Sequence, residues 1–504
     1  MSDIVKANKV SESQLRLECD DSGILRELSE YYTYFAEGYR FMPKFRNGLW
    51  DGKLRLWNLQ TKILPFGLLS HLAEFCRARD YVLELGPGVL NTTTPTVEAL
   101  REFAKSLMIT RKDTILTPHD YQIEAFIHAI RSRRTVLVSP TASGKSLIIY
   151  LLLRWFIEHE SHGDEKILIV VPTTSLVEQM QSDFADYSQQ DDDFNANEDV
   201  HKIYSGKEKN RFESRVVVTT WQSAIKMPPV WFNQYAMVIG DEAHQFKAIS
   251  LTTIMNNLSR ARFRIGTTGT LDNTKVHELV LTGSFGNVHR VISTKELMEA
   301  GSLAQLKINC MVLKHEEENR KIVSKLEYKK EIDYLASCVA RNRFIRNLAL
   351  GLKGNTLILF NLVHKHGRPL HKLIKEHCGS NRKVFYVSGS VGVDERESIR
   401  ALTERESDAI IVASIGTFAT GINIRNLHNI VFASPTKSQI RVLQSIGRGL
   451  RLSDNGQSTT VYDISDNLCW KSKKNFTYKH ALDRLKIYTA EKFNYKIYEL
   501  DLLL

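Results

Sequence analysis

Two sets of short, β-branched apolar runs, alternating with helical segments, constrain the fold of this chain more than any other feature. The first set is Thr135–Val138, Ile167–Val171, Val216–Thr219, Met237–Ile239 and Phe263–Ile265. The second is Thr356–Phe360, Val384–Val387, Ile410–Ala413, Ile430–Phe432 and Thr459–Tyr462. Strands covered on both faces by crossover helices read as continuous apolar runs. Two α/β domains in tandem, each built on a parallel sheet, are therefore predicted. The length of 504 residues agrees, since one hydrophobic core rarely serves so long a chain.

The first 108 residues have a different texture, a β-α-β-β-α-β order. Strands are predicted at Gln14–Cys19, Gly52–Trp57, Leu64–Leu68 and Tyr81–Leu85, and helices at Ile24–Ala36 and His71–Arg79. Gly86-Pro87-Gly88 and the run Asn91–Pro95 then mark a loop. The acidic stretch Ser188–Val200 reads as a mobile surface loop. A basic, aromatic segment begins at Trp470, and Ala481–Tyr498 reads as an amphipathic helix. The expected division is 1–108, a small α+β accessory nucleic-acid-binding domain; 109–302, the first α/β domain; 303–465, the second; and 466–504, a basic helical extension.

The formal charge is +11, and all of the excess lies beyond residue 108, because residues 1–108 hold 14 Lys+Arg and 14 Asp+Glu. That balance suits a polyanionic partner without requiring one. Six cysteines are scattered with no CxxC pair, which argues against a zinc site, an iron–sulfur cluster or a disulfide framework and for a reducing compartment. The longest apolar stretch, Leu147–Phe156, is interrupted by Arg154 and is too short to span a bilayer. A cytoplasmic protein with no membrane partner is expected.

Ser139-Pro-Thr-Ala-Ser-Gly-Lys-Ser146 follows a predicted strand and precedes an apolar helix. That context is what a phosphate-binding loop needs, because backbone N–H groups at the helix start face the anion. Lys145 can reach the β- and γ-phosphates of ATP, and Ser146 can hold Mg2+. Ser139 stands where the strict pattern has glycine, so a chance loop is the competing reading. Met237-Val-Ile-Gly-Asp-Glu-Ala-His244 delivers two carboxylates to the end of another apolar strand, 96 residues after Lys145. Asp241 suits Mg2+, and Glu242 is placed to deprotonate an attacking water. The competing reading is an ordinary solvated acidic pair at a helix cap.

Taken in order, these segments resemble the superfamily 2 helicases. Thr117–Gln122 is similar to their adenine-recognition segment, which implies that Tyr121 and Gln122 meet the base. Pro140–Ser146 resembles their PTGSGKT loop, with Ala142 in place of a glycine. The resemblance assigns Pro140, Thr141, Ala142, Ser143, Gly144, Lys145 and Ser146 to the nucleotide. Asp241-Glu-Ala-His244 matches the DEAH box, and Gly266–Leu271 resembles motif III. His244, Thr268 and Thr270 are thereby implied to couple the ATP site to a nucleic-acid groove. Ser414–Asn423 is similar to motif V, which implies that Gly421 meets the nucleotide. Gln444–Arg451 is similar to motif VI, with Gln444, Arg448 and Arg451 in catalytic roles. Two arginines three apart on a helix can point one way, and a planar guanidinium matches phosphate oxygens. Judged alone, that pair reads equally as a surface helix with salt bridges. Thr173 and Thr174, Thr220, Trp221 and Gln222, Ser388 and Gly389, and Thr417 fall where the superfamily holds the nucleic-acid backbone. Each is also ordinary turn and cap chemistry.

A narrower resemblance covers the N-terminus. Tyr39–Trp57 and Leu64-Pro-Phe-Gly67 are similar to the N-terminal domain of UvsW-type helicases of T-even bacteriophages, and the likeness extends to Glu491–Tyr495. It implies two RecA-like motor domains that close on ATP and Mg2+. The implied substrate is branched DNA, forks, Holliday junctions, R-loops or D-loops, in recombination, repair and replication restart in the host cytoplasm. Single-strand-binding or recombination proteins are admitted as partners, and a monomer is the favoured state. Two alternatives stay open: a duplex DNA translocase that separates no strands, and a nucleotide-gated nucleic-acid-binding protein. The cations and aromatic rings of Arg40–Trp57 could stack on unpaired bases, or Trp50 and Trp57 could simply fill a core.

Overall fold

The computed structural model describes residues 3–36, 38–90, 93–140, 143–204, 214–246, 248–271, 275–301, 303, 306–379, 382–388, 405–417, 427–434 and 459–502. Two compact units emerge, Met1–Ser139 with Gly144–Val291, and Ile292–Leu504 with Pro140–Ser143.

In the first unit, β1 (Ile4–Lys9) pairs antiparallel with β2 (Gln14–Glu18). A separate antiparallel ribbon joins β3 (Thr33–Phe35) to β4 (Lys53–Arg55). The small sheet is completed by β5 (Ile63–Pro65) and β6 (Val82–Leu85), in the order β5-β2-β1-β6. Helices Ser22–Tyr31 and Leu69–Arg77 supply apolar faces to this sheet, and Trp57 is fully buried in the resulting core. The first helix begins where the Asp21 carboxylate accepts from the Gly23 and Ile24 N–H groups, a side-chain cap for orphan donors.

This small layer is fastened to the larger sheet of its own unit. Glu12 forms an ion pair with Arg134 at 2.5 Å, and the Arg134 guanidinium lies 4.1 Å from the Phe66 ring centre. Ser13 and Glu12 reach the backbone at Asn256 and Ser259. At Gly67 a Cβ would meet the Thr282 carbonyl oxygen at 2.0 Å, so only glycine allows this approach.

After the short ribbon β7 (Thr110–Arg111) and β8 (Thr114–Ile115), the first large sheet begins. Its strands are β9 (Arg134–Val138), β10 (Lys166–Val171), β11 (Val200–Ile203), β12 (Val216–Thr220), β13 (Tyr235–Asp241), β14 (Phe263–Thr268) and β15 (Asn287–Arg290). They run β11-β12-β10-β13-β14-β9-β15, all parallel. Helix Lys145–Trp155 is buried from Leu147 onward, as a helix apolar on every side must be. The expected mobile loop at Ser188–Val200 is instead pinned. Asp191 accepts from Tyr150 and from Arg154, whose guanidinium is buried, and Phe194 and Ala196 join the core. A buried arginine requires such a carboxylate, which the acidic composition disguised.

The second unit repeats the architecture with β16 (Leu306–Lys314), β17 (Thr356–Phe360), β18 (Val384–Val387), β19 (Ile410–Ser414), β20 (Asn429–Phe432), β21 (Thr459–Asn467) and β22 (Tyr495–Asp501). The order is β18-β19-β17-β20-β21-β16-β22, again all parallel. Two tandem RecA-like sheets are thus present. The C-terminal helix covers Phe476–Ala490 and does not continue to Tyr498, because Tyr495–Asp501 adds as an edge strand beside β16. No helix among the described residues is long and apolar enough to cross a membrane.

Candidate active site

Three adjacent strands of the first unit carry the site at their C-terminal ends. β14 lies between β9 and β13, and the register sets Val138 opposite Thr268 and Thr267 opposite Asp241. The chain leaves β9 at Ser139, whose N–H donates to the Thr268 carbonyl at 2.9 Å. Gly144, at φ +77°, then turns the chain into the helix that starts at Lys145. That positive φ favours glycine, and a Cβ on Gly144 would displace the Gln122 amide nitrogen, 2.3 Å away. Below this turn Gln122 is buried, and its side-chain oxygen accepts from the His119 N–H at 2.8 Å. Tyr121 is half-buried and stacks on His119, with ring centres 5.4 Å apart.

Lys145 gathers the charges. Its ammonium donates to the Ser139 carbonyl at 3.3 Å and lies 3.5 Å from a Glu242 carboxylate oxygen. The other Glu242 oxygen lies 3.4 Å from His244 Nδ1. Glu242 itself is held at φ +49°, a left-handed conformation costly for a side-chain-bearing residue and concentrated at functional sites. Asp241 is buried at the end of β13 and accepts from the Thr267 hydroxyl at 2.6 Å. Burial first, and then repulsion from Glu242, push its pKa up to about 6, against the pull of Lys145 and Thr267. Two carboxylates facing one lysine leave negative charge that a divalent cation would offset, so the donor set fits Mg2+.

The predicted couplers also meet. His244 Nδ1 and the Thr268 hydroxyl are 2.6 Å apart, and Thr268 donates to the Thr270 carbonyl at 2.7 Å. Sequence reasoning passed over Thr267, which directly holds Asp241. Strand alternation turns it to the face opposite Thr268, and the Asp241 register was its signal. Tyr187 was also missed. Its phenol lies 3.1 Å from the Ser146 hydroxyl, and nothing in the local sequence announces that pairing. Pro140 and Ser143 bond within the loop, the Ser143 hydroxyl donating to the Pro140 carbonyl at 2.8 Å.

The candidate nucleic-acid residues occupy strand ends too. Thr173 caps helix Thr174–Tyr187 after β10, its hydroxyl accepting from the Leu176 N–H, with Thr174 exposed beside it. Thr220 ends β12 next door, opposite Val171, and the exposed Gln222 amide donates to the Pro172 carbonyl at 3.3 Å, tying the two segments together. Trp221 is half-buried there and packs against the apolar core. In the second unit Ser388 follows β18 and Thr417 follows β19, on paired strands, with the Ser414 hydroxyl donating to Thr417 at 2.6 Å. Thr141, Ala142, Gly389, Gly421, Gln444, Arg448 and Arg451 lie outside the described residues.

Comparison with known proteins shows the family of the chain as a whole. Residues 5–86 match the family described as DNA helicase UvsW, N-terminal. Residues 115–273 match Type III restriction enzyme, res subunit, and residues 340–453 match Helicase conserved C-terminal domain. The ATP-dependent DNA helicase uvsW of Enterobacteria phage T4 is 36% identical over 499 residues, covering 96% of this chain and 97% of that protein. The crystal structure of T4 UvsW superposes with a TM-score of 0.53 at 33% identity, over 100% of both chains. A fragment of a putative HsdR subunit of a type I restriction enzyme from Vibrio vulnificus shares the fold, with a TM-score of 0.56 at 15% identity over 90% of this chain and 77% of that one. With matching sequence along nearly its whole length, two RecA-like sheets and the accessory N-terminal layer, this chain belongs to the UvsW family of superfamily 2 ATP-dependent DNA helicases.

Proposed function

We propose that the chain is a DEAH-box motor that hydrolyses ATP with Mg2+ and spends the energy on remodelling branched DNA in the cytoplasm of a phage-infected host. The observation that carries the catalytic half is the row Lys145, Glu242, His244 and Thr268, joined by contacts of 2.6 to 3.5 Å. Lys145 and the backbone of Gly144 would hold the β- and γ-phosphates, where the helix start favours an anion. Asp241 and Ser146 would hold Mg2+, which offsets charge on the phosphoryl oxygens when bound. Glu242 accepts the proton of the attacking water, and the Lys145 ammonium 3.5 Å away orients that carboxylate. Gln444, Arg448 and Arg451 are assigned to the γ-phosphoryl by their likeness to motif VI. His244, Thr268 and Thr270 relay the state of the site along the strand ends.

On the substrate side, the T4 relative supports a DNA substrate, and the ribbon β3–β4 with its connection supports a branched one. Phe41 is 77% exposed and Leu49 78% exposed. Arg46 lies over the Phe41 ring, Arg40 over Tyr39 and Lys53 over Phe35. Cations interleaved with exposed rings suit phosphates together with unpaired bases, which a branch point offers. Residues 3–90 thus act as an accessory DNA-binding layer, fixed to the motor through Gly67 and Glu12.

ATPase rates on single-stranded, duplex, forked and four-way DNA test this reading. The forked and four-way substrates should stimulate most. Equal stimulation by all four sinks the branched-substrate assignment. Stimulation by duplex with triplex displacement, but without fork unwinding, would instead favour the translocase.

A further inference from the structure

The second unit brings together two lysine-rich segments that lie far apart in sequence. Residues 321–330 and 470–479 hold eight lysines between them, all exposed, and one exposed carboxylate, Glu327. Their juxtaposition is built in. The buried Glu331 carboxylate accepts from the Asn475 amide, the Phe476 and Thr477 N–H groups and the Thr477 hydroxyl, at 2.7 to 3.0 Å. Asn475 in turn accepts from the Leu468 N–H at 3.0 Å. Four hydrogen bonds to one fully buried carboxylate make a rigid anchor. What that anchor presents is a tight turn in which Trp470 and Lys473 bond each other's backbone, with Lys471 at φ +52°. Lys473 also reaches the Ser324 carbonyl, and Tyr328 packs against Phe476, with ring centres 5.9 Å apart.

The turn follows β21, so it lies at the same sheet edge as Ser388 and Thr417, which follow β18 and β19. Three strand spacings separate β19 from β21, about 14 Å at the usual spacing. That is about four nucleotides of one DNA strand. A DNA strand held at Ser388 and Thr417 would need only about four more nucleotides to reach the lysine face.

We propose that this face, residues 321–330 with 470–479, is a second DNA-backbone site that grips an arm flanking the strand held at β18 and β19. Its chemistry is sequence-independent: ammonium groups on phosphates, with the tyrosine and tryptophan edges alongside. The inference rests on the DNA helicase assignment.

The test uses the full-length protein carrying K471A/K474A, K329A/K330A, or the control K372A/K375A on helix Arg368–His377. Binding to a four-way junction is followed across salt concentrations, along with ATPase at varied junction concentration. Each pair of the face should weaken junction binding about tenfold at moderate salt and lower the salt slope by about 1 to 2. Basal ATPase and the rate at saturating DNA should stay as in the wild type. Unchanged affinity in both face variants overturns the proposal and leaves the surface to an acidic protein partner. An equal loss in the control also overturns it, as an effect of net charge. Failure of the wild type to respond to any DNA would instead overturn the helicase assignment beneath it.

Discussion

The Ser146 hydroxyl, the proposed Mg2+ ligand of the phosphate loop, lies 3.1 Å from the phenol of Tyr187. Asp183, one turn earlier on the same helix, also accepts from Ser146, and burial raises its carboxyl above the usual range. That helix, Thr174–Tyr187, begins with the candidate DNA contacts Thr173 and Thr174. One end thus carries the proposed nucleic-acid contacts, and the other touches the hydroxyl proposed to hold the metal.

Tyr187→Phe keeps the buried ring and removes the competing hydroxyl. A neutral hydrogen bond contributes about 1 kcal/mol, so half-maximal ATPase should need about fivefold less Mg2+. A Mg2+ titration of ATPase checks this. A higher Mg2+ requirement would mean that Tyr187 orients Ser146 for the metal instead of holding it away.

Gly67→Ala should loosen the N-terminal layer from the first large sheet. The new methyl would meet the Thr282 carbonyl at 2.0 Å and Gly283 and Gly286 backbone atoms at 2.9 Å, none of which can swing aside. Overpacking of this kind costs about 1 to 3 kcal/mol. Limited proteolysis should cut the variant between residues 86 and 97 faster than the wild type, and denaturant midpoints should fall. Resistance equal to the wild type would show that the two layers adjust freely.

His366 gives the second unit a pH dependence with a defined sign. The ring is buried, with Nε2 at 3.2 Å from Asn342 Oδ1 and Nδ1 at 3.1 Å from Ser434 Oγ. Burial first, then the nearby Arg341 guanidinium, lower its pKa to about 3, against the pull of Asp466. The unfolded chain takes up this proton near pH 6.5 while the folded one does not. The neutral-ring contribution is therefore complete above pH 6.5 and is lost as pH falls toward 3. Between pH 6.5 and 5 the loss is about 2 kcal/mol. Denaturant melts of the wild type and His366→Gln at pH 7.5 and 5 should show a smaller pH effect in the variant. Equal pH effects in both would remove His366 as the source.

Sequence reading found the strands whose burial is two-sided, because Ile167–Val171 or Ile410–Ala413 have no other explanation. It missed strands that are only partly buried, among them Ile4–Lys9 and Leu306–Lys314 inside their sheets and others at the margins. Tyr495–Asp501 alternates charged and apolar residues on an exposed edge, and its first residues continue a helical pattern. Asn287–Arg290 has little apolar content. Lys145 and the Asp241–Glu242 pair, which the structure brings together, stood out because their residue types follow a fixed local spacing. Thr267, Tyr187 and the Glu331 anchor did not, since each acts through a contact set by packing across strands or helices. Asp191 misled for a related reason: an acidic stretch looks solvated until the buried Arg154 that it neutralises is known.

The most direct measurement is the steady-state ATPase of Lys145→Ala with saturating four-way DNA, taken beside its thermal unfolding midpoint. The side chain's contacts, to the Ser139 carbonyl and Glu242, are few and at the rim of the core, so the midpoint should shift by no more than a few degrees. Hydrolysis should fall to background on the proposed role of Lys145 as the cation that meets the transferred phosphoryl group. A folded variant that hydrolyses ATP at the wild-type rate would contradict the assignment of this loop as the motor's catalytic site.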